Sequence, residues 1–237
     1  MKRFCAIPNT DESVFEMLAT NVEALYYELS AAAGSEPTPG AKADVNGNVY
    51  IESVGNNTLP FDFRTVASVM WELASTMSMN LGNRDYQAFS ATENTTRARL
   101  TTKLRVGRQN KLVELSSFGK RFAERDCVAI VWSTMNETPN GYFLINKRDR
   151  VRVREGGWIV LKRAASGING RQPGTIIESI SRLTPLLERG ETSTSDSRSD
   201  HVRMLMDVVL GLYHQNLSLL IQLTENLILS DTTSRSS

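Results

Sequence analysis

Histidine and cysteine are scarce in this sequence, and their scarcity excludes most metal and nucleophile chemistry. Each occurs twice in 237 residues. On one predicted helix His201 and His214 would lie about 20 Å apart, which is too far for them to share a metal ion. Neither stands in a local signature that joins a nucleophile, a base and an acid. The sequence therefore predicts no metal site, no cofactor and no catalytic residue.

Long apolar runs and a strong net charge are also missing. No stretch approaches the ~20 residues of a spanning helix, and residues 1–4 lack the apolar core of a signal peptide. With a net charge of +1 the chain as a whole has no strong electrostatic attraction to nucleic acid or to an anionic membrane. Cys127 precedes an apolar run, which predicts a reduced, buried thiol rather than a disulfide. These features predict a cytosolic or nuclear protein.

The charge is distributed unevenly along the chain. Residues 97–163 hold 16 Lys and Arg against 6 Asp and Glu, or +10, and the remainder carries −9. Basic residues occupy alternate positions in two stretches: Arg97, Arg99, Lys103, Arg105, and Arg148, Arg150, Arg152, Arg154. Two interpretations stay open, a solvated outer face of a sheet and a surface for transient contact with anionic membrane. Nucleic acid is not predicted, because aromatic residues are not interleaved with these arginines.

Three helices are predicted from caps and apolar spacing. Residues 9–33 carry the apolar stripe Val14, Leu18, Val22, Leu25 and Leu29. Residues 62–77 follow Pro60, with Asp62 as the cap and with the apolar face Phe63, Val66, Met70, Leu73 and Met77. A polar loop over residues 188–199 leads into a final helix over residues 199–229, about 45 Å long.

Between the second and third helices the apolar period changes from 3.6 to 2, which predicts strands. These cover residues 97–106, 111–123, 127–132, 142–154, 158–163 and 175–183, after a short strand at 48–52. Glu155-Gly156-Gly157 is interpreted as a tight hairpin. Because the links are short, neighbouring strands must be antiparallel.

This order of elements predicts an α+β helix-grip fold in one domain over residues 1–237. A curved antiparallel sheet of six or seven strands, spanning residues 43–187 with one inserted helix, packs on the long C-terminal helix. Such a fold can leave an apolar cavity where sheet and helix diverge. The residues predicted to contact a ligand there are Phe89, Arg121, Trp132, Trp158, Met206, Leu212, Tyr213 and His214. Arg121 and His214 would orient its polar end, and ordinary core packing is the alternative role for the apolar members.

Three stretches resemble one family. They are Leu59-Pro-Phe-Asp-Phe63 with Val69-Met-Trp-Glu-Leu73, residues 118–132, and Arg154-Glu-Gly-Gly-Trp-Ile-Val-Leu-Lys162. Together they resemble the START-like (steroidogenic acute regulatory-related lipid-transfer) domains, in the branch expanded in oomycetes. The resemblance runs in order from Val14 to Leu229. It implies a helix-grip fold that carries a lipid, a sterol or another hydrophobic molecule, and it does not specify which.

Three functions follow from these observations. The first is non-catalytic binding or transfer of a hydrophobic ligand. The second is a regulatory or protein-interaction domain with a filled or vestigial cavity, favoured by the polar 188–199 loop and by upstream coiled coils in similar proteins. The third is a cyclase or hydrolase on the same fold, which needs a titratable pair facing the cavity.

Overall fold

The computed structural model describes residues 11–31, 37–44, 49–76, 84–106, 109–136, 143–144, 150–164, 174–188 and 217–231. Within these ranges the helices are α1 (Asp11–Ala31), α2 (Phe63–Thr76) and α3 (residues 217–231). The strands are β1 (Gly40–Ala43), β2 (Val49–Leu59), β3 (Arg84–Ala91), β4 (Thr95–Val106), β5 (Gln109–Ala123), β6 (Cys127–Asn136), β7 (Phe143–Leu144), β8 (Arg150–Arg163) and β9 (Thr175–Glu188).

All of these strands belong to one curved antiparallel sheet. Its order is β1-β2-β9-β8-β6-β5-β4-β3, and the two-residue β7 pairs with β8. Seven of the strands have eight residues or more. A curved sheet of seven long antiparallel strands with a C-terminal helix is the predicted helix-grip fold, which is thereby confirmed.

The inner face of the sheet, defined here as the face that packs against α2 and α3, carries an apolar core. Alternate residues of each strand point to it because side chains alternate with period two. The sheet contributes Val128, Ile130, Ile159, Leu161 and Ile177. The helices contribute Phe63, Val66, Met70, Leu73, Leu217, Leu220 and Ile228. The predicted apolar face of the second helix is confirmed for its members up to Leu73.

Helix α2 begins at the predicted cap. The Asp62 side chain accepts a hydrogen bond from the backbone N–H of Arg64 at 3.0 Å. The Arg64 guanidinium donates to the Arg125 carbonyl at 2.9 Å, which ties this helix end to the turn between β5 and β6. The cap satisfies one of the donors that a helix start otherwise leaves without an intrahelical partner.

The outer face of the sheet, opposite the inner face, is covered in part by α1. Val14, Leu18 and Val22 of the predicted stripe are buried there, while Leu25 and Leu29 are partly buried. They pack against a cluster on the sheet: Phe118, Ala129, Val131, Met135, Trp158, Val160 and Ile180. The interpretation of this face as simply solvated is therefore wrong beneath α1.

Acidic residues of α1 pair with basic residues of the outer face. Arg97 lies 2.9 Å from Glu12, and Lys120 lies 2.5 Å from Glu23. Arg182 pairs with Glu28. Part of the excess positive charge is thus balanced within the fold. The side chains of Lys103, Arg105, Arg148, Arg150 and Arg152 lie outside the described residues, so membrane contact through them stays a prediction.

The predicted hairpin at residues 155–157 is wrong. Strand β8 runs unbroken through both glycines, and Gly157 pairs with Trp132 on one side and Ser181 on the other. A Cβ at Gly157 would lie 2.1 Å from the Ile180 carbonyl oxygen, and a Cβ at Gly156 would lie 2.9 Å from Leu25 Cδ1. The glycine pair therefore marks close packing inside a strand rather than a turn.

Tyr26 attaches the C-terminal half of α1 to the sheet. Its ring stacks on Phe122 with 3.7 Å between ring centroids and an interplanar angle of 4°. Its hydroxyl donates a hydrogen bond to Glu124. This hydrogen bond, followed by burial and the Glu124 charge, raises the pKa of Tyr26 to about 12 from its ordinary 10.0.

We expect Tyr26 to make the fold lose stability between pH 10 and pH 12. The folded state holds the phenolic proton more tightly than the unfolded state, so this contribution is complete below pH 10 and is lost as the pH rises through 12. Tyr26→Phe should flatten the decline, measured by urea unfolding across this range. Tyr27→Phe is the control, since Tyr27 is 71% exposed. An unchanged decline in Tyr26→Phe would contradict the account.

Candidate functional site

The side chains on the inner face change from apolar to polar along the strands. Beneath α2, a row of register partners across β6, β8 and β9 is apolar: Val128, Leu161 and Ile177. Two rows further on, the partners are Thr96, Gly119, Trp132, Gly157, Ser181 and Ser53. The next row holds Ser117, Thr134, Glu155, Leu183 and Ile51. These last two rows, called the polar band below, are the candidate site.

Trp132 and Glu155 are in direct contact within the polar band. The indole Nε1 donates a hydrogen bond to Glu155 Oε1 at 3.2 Å. A Cβ on Gly157 would lie 2.9 Å from Trp132 Cζ2, so the indole reaches from β6 across the backbone of β8. Both side chains are half-buried. A glycine at this position is what allows the ring to lie so near the strand.

Small hydroxyl side chains surround this pair. Thr134 Oγ1 donates to Ser117 Oγ at 3.1 Å, one strand away from Glu155. Ser53 and Ser181 are buried register partners in the row of Trp132. Because their side chains are short, Trp132 is the one large side chain in its row. Hydroxyls both donate and accept hydrogen bonds, so the polar band can contact a polar group of either kind.

Apolar residues lie within the polar band and beside it. Leu183 lies directly opposite Glu155 on β9, and Ile51 follows it on β2. Val153 precedes Glu155 on the same face of β8 and is buried. A polar end held at Glu155 would therefore have apolar surface beside it.

Trp158, predicted to contact the ligand, lies on the outer face instead. It belongs to the cluster beneath α1 and is 3% exposed. The Arg182 guanidinium lies 5.1 Å from its ring centroid. The error follows from the hairpin: once β8 is continuous, residues 157 and 158 must point to opposite faces.

Arg121 is on the inner face, in the row next to the polar band, but far from Glu155. It pairs in register with Ile130, whereas Glu155 pairs with Thr134, an offset of about 13 Å along β6 at ~3.3 Å per residue. Its guanidinium lies over the Trp71 ring, donates to Asn94 Oδ1 at 3.1 Å and lies 3.6 Å from Glu93. These contacts fix Arg121 against α2 and the β3–β4 turn, so it does not share a site with Glu155.

The remaining predicted ligand contacts cannot be placed on either face. The strand that contains Phe89 is described but its side chain is not, and Met206, Leu212, Tyr213 and His214 lie outside the described residues. Trp132 is thus the predicted contact that the structure places in the polar band. The sequence analysis did not identify Glu155, Thr134 or Ser181 as candidate site residues. For Ser181 there was a signal, because Ile177, Ser179, Ser181 and Leu183 alternate with outer-face residues along one strand.

The described part of the chain contains no group of three or more His, Cys, Asp and Glu side chains placed to hold a metal ion. None of the helices described is long and apolar enough to cross a membrane. Cys127 is a free, half-buried thiol, and burial together with Glu124 raises its pKa above the ordinary value. A raised pKa keeps the thiol protonated and weakly nucleophilic.

No protein-family model and no curated protein matches the chain. Among solved structures it is similar to the Zhui aromatase/cyclase from Streptomyces sp. R1128, with 12% identity, a TM-score of 0.47 and coverage of 76% of this chain and 96% of that one. For human STARD10 the identity is 8% and the TM-score is 0.47, and the match covers 92% of this chain and 81% of that one. For the TTHA0849 protein from Thermus thermophilus the identity is 16% and the TM-score is 0.45, and the match covers 76% of this chain and 98% of that one.

These similarities concern the fold alone, and the strand order and helices described above carry its assignment. The START-like resemblance and its oomycete branch stay predictions from the sequence. One of the three similar structures is an aromatase/cyclase by name. The absence of catalysis stays a prediction from the sequence.

Proposed function

We propose that this protein binds or transfers a hydrophobic molecule, a lipid or a sterol, between the inner face and the C-terminal helix, without catalysis. The observation that carries the proposal is the half-buried Trp132–Glu155 pair, whose neighbours on the inner face are apolar residues and small hydroxyls. Ligand sites are mostly apolar and have a few placed polar groups. The proposal keeps the cytosolic or nuclear compartment predicted from the sequence.

The described residues of the inner face fit catalysis less well than they fit ligand binding. A cyclase or hydrolase needs at least two titratable groups close together, and Arg121 is separated from Glu155 by about 13 Å along the strands. On this face Glu155 has Thr134 and Leu183 as its register partners on β6 and β9. Val153 and Gly157 lie next to it along β8. These neighbours suit binding rather than proton transfer.

A regulatory or protein-interaction domain is the second candidate. It is favoured by the dense packing at the α2 end of the inner face, where Val66, Met70, Leu161 and Ile177 are completely buried. That part of the face is filled by the protein itself. If the packing continues over the polar band, no ligand enters and the fold serves as a scaffold.

Trp132→Ala tests the proposal. We expect it to weaken binding of a fluorescent sterol or fatty-acyl probe about tenfold or more, because the indole is the large contact surface of the polar band. The free energy of unfolding should fall less than for a fully buried tryptophan, whose loss costs about 3–5 kcal/mol. Probe titration and urea unfolding measure the two effects.

A matched pair of conservative variants controls for packing. Trp132→Phe and Trp158→Phe make the same chemical change on the inner and the outer face respectively. Only the first should alter probe affinity. If both variants, or neither, change it, Trp132 is ordinary core and the interaction domain becomes the better interpretation.

A further inference from the structure

The two halves of α1 are held to the sheet by different kinds of contact. In the first half, residues 11–22, four apolar side chains are at most 4% exposed: Val14, Phe15, Leu18 and Val22. In the second half, residues 23–31, called the strap below, Leu25 and Leu29 are only partly buried. Because burial of apolar surface is the dominant stabilising term in packing, the first half is the more firmly held.

Ion pairs supply much of the attachment of the strap. Glu23 lies 2.5 Å from Lys120, and Glu28 pairs with Arg182. The four side chains of these pairs are between 25% and 53% exposed. An ion pair that is open to solvent contributes little to stability, and salt weakens it further. The strap is therefore held by contacts that respond to ionic strength, unlike the first half of α1.

Tyr26 is the third attachment of the strap. Its ring stacks on Phe122, and its hydroxyl donates a hydrogen bond to Glu124. The Cys127 thiol lies 3.5 Å from the other carboxylate oxygen, Glu124 Oε2. The Lys120 ammonium lies 4.7 Å from the centroid of the Phe122 ring. The strap thus covers Phe122 and is linked through Glu124 to the half-buried thiol.

A buried amide group lies where the two halves meet. Asn21 Nδ2 is buried and has no hydrogen-bond partner among the residues that the structure describes. A buried donor without an acceptor destabilises the packing around it. Leu18 and Leu25 are three and four residues away on the same side of the helix, so Asn21 interrupts the apolar stripe. Val22, directly after it, is the last buried residue of α1.

We propose that the strap opens from the sheet as a unit, separately from the first half of α1, and that ionic strength controls this opening. Opening breaks the two ion pairs and the Tyr26 contacts, while Val14, Leu18 and Val22 stay packed. It uncovers Phe122 and gives solvent access to the Cys127 thiol. The inference concerns the outer face and is independent of the function proposed for the inner face.

Hydrogen exchange of the whole protein, followed by mass spectrometry, tests the proposal. We expect the amides of the strap to be protected about tenfold less, or lower still, than those of residues 14–22. Raising NaCl from 0.1 M to 1 M shortens the Debye length from about 10 Å to about 3 Å. This change should reduce protection of the strap several-fold and leave residues 14–22 unchanged. Equal protection of the two halves, or an equal response to salt, overturns the proposal.

The variant with both Glu23→Gln and Glu28→Gln removes the two ion pairs and keeps the length of each side chain. At 0.1 M NaCl we expect protection of the strap to fall about tenfold, the upper limit for two exposed pairs, and its salt response to disappear. Glu16→Gln is the matched control, since Glu16 is an exposed glutamate in the first half of α1. Wild-type protection and salt response in the double variant would overturn the proposal.

Alkylation of Cys127 by N-ethylmaleimide gives a second readout, in a Cys5→Ser background so that one thiol reacts. At a single salt concentration we expect faster alkylation in the double glutamine variant than in the parent. Asn21→Leu should have the opposite effect, slower alkylation and greater protection of the strap, because an apolar side chain continues the stripe. If alkylation is equally fast in the double variant and the parent, the strap does not control access to Cys127 and the proposal fails.

Discussion

Replacing Arg182 by methionine is expected to lower the free energy of unfolding by about 3 kcal/mol or more. Arg182 Nε donates to Glu52 at 2.8 Å, and the Glu52 side chain is 3% exposed. Without the guanidinium, the buried Glu52 carboxylate keeps one cationic partner among the described residues. That partner is Lys42, on the short strand β1. The variant also loses the guanidinium contacts with the rings of Trp158 and Tyr50.

Lys120→Met is the matched control. Lys120 also pairs with a glutamate of α1, but the side chains of Lys120 and Glu23 are 30% and 43% exposed. Removing such a pair costs about 1 kcal/mol or less. Urea unfolding of both variants measures the difference, and Glu52→Gln added to Arg182→Met should recover part of the loss. Equal losses for Arg182→Met and Lys120→Met would show that the burial of Glu52 does not matter.

Gly157→Ala is expected to have a comparably large effect, a loss of about 3 kcal/mol, at the upper end of what overpacking costs. Its Cβ would lie 2.1 Å from the Ile180 carbonyl oxygen, which is backbone and cannot turn away as a side chain can. The same Cβ would lie 2.9 Å from Trp132 Cζ2, so we also expect a change in probe binding on the inner face.

The adjacent glycine provides the control. A Cβ at Gly156 meets Leu25 Cδ1 at 2.9 Å, the end of a half-buried side chain that can rotate, and the nearest backbone atom is 3.6 Å away. Gly156→Ala should therefore cost about 1 kcal/mol. Thermal unfolding of the pair is the measurement. If Gly157→Ala is as stable as Gly156→Ala, strands β8 and β9 are not packed as closely as described.

The helices and most strands were predictable because their signals are local. The stripe of Val14, Leu18 and Val22 predicts a buried helix face, and Asp62 predicts the start of α2. The alternation from Arg97 predicts β4 and sends Arg97 and Arg99 to one face. Such patterns depend on neighbours in the sequence and require no knowledge of the tertiary structure.

The packing partner of each element was not predictable in the same way. The stripe of α1 shows that one side is buried, but it does not show which face of the sheet receives it. Gly156 and Gly157 give the same signal whether they form a turn or allow close packing. The second explanation holds here, and mistaking one for the other moved Trp158 to the wrong face and placed Glu155 in a loop.

The candidate site depends on strand register, which no local pattern specifies. Trp132 and Glu155 are separated by 23 residues and meet because Trp132 pairs with Gly157 and Thr134 with Glu155. Ser181 and Ser53 join them from β9 and β2. Trp132 could be named from its size and its place in an apolar strand, whereas Glu155 gains its role only from the fold.

Native mass spectrometry of the protein purified from a lipid-rich extract tests the central claim, that a hydrophobic molecule binds on the inner face, most directly. We expect a stoichiometric mass shift from one class of lipid or sterol, which is released on denaturation and is reduced in Trp132→Ala but not in Trp158→Phe. An unshifted mass throughout, with no change when lipids or sterols are added, would contradict the account and favour the interaction domain.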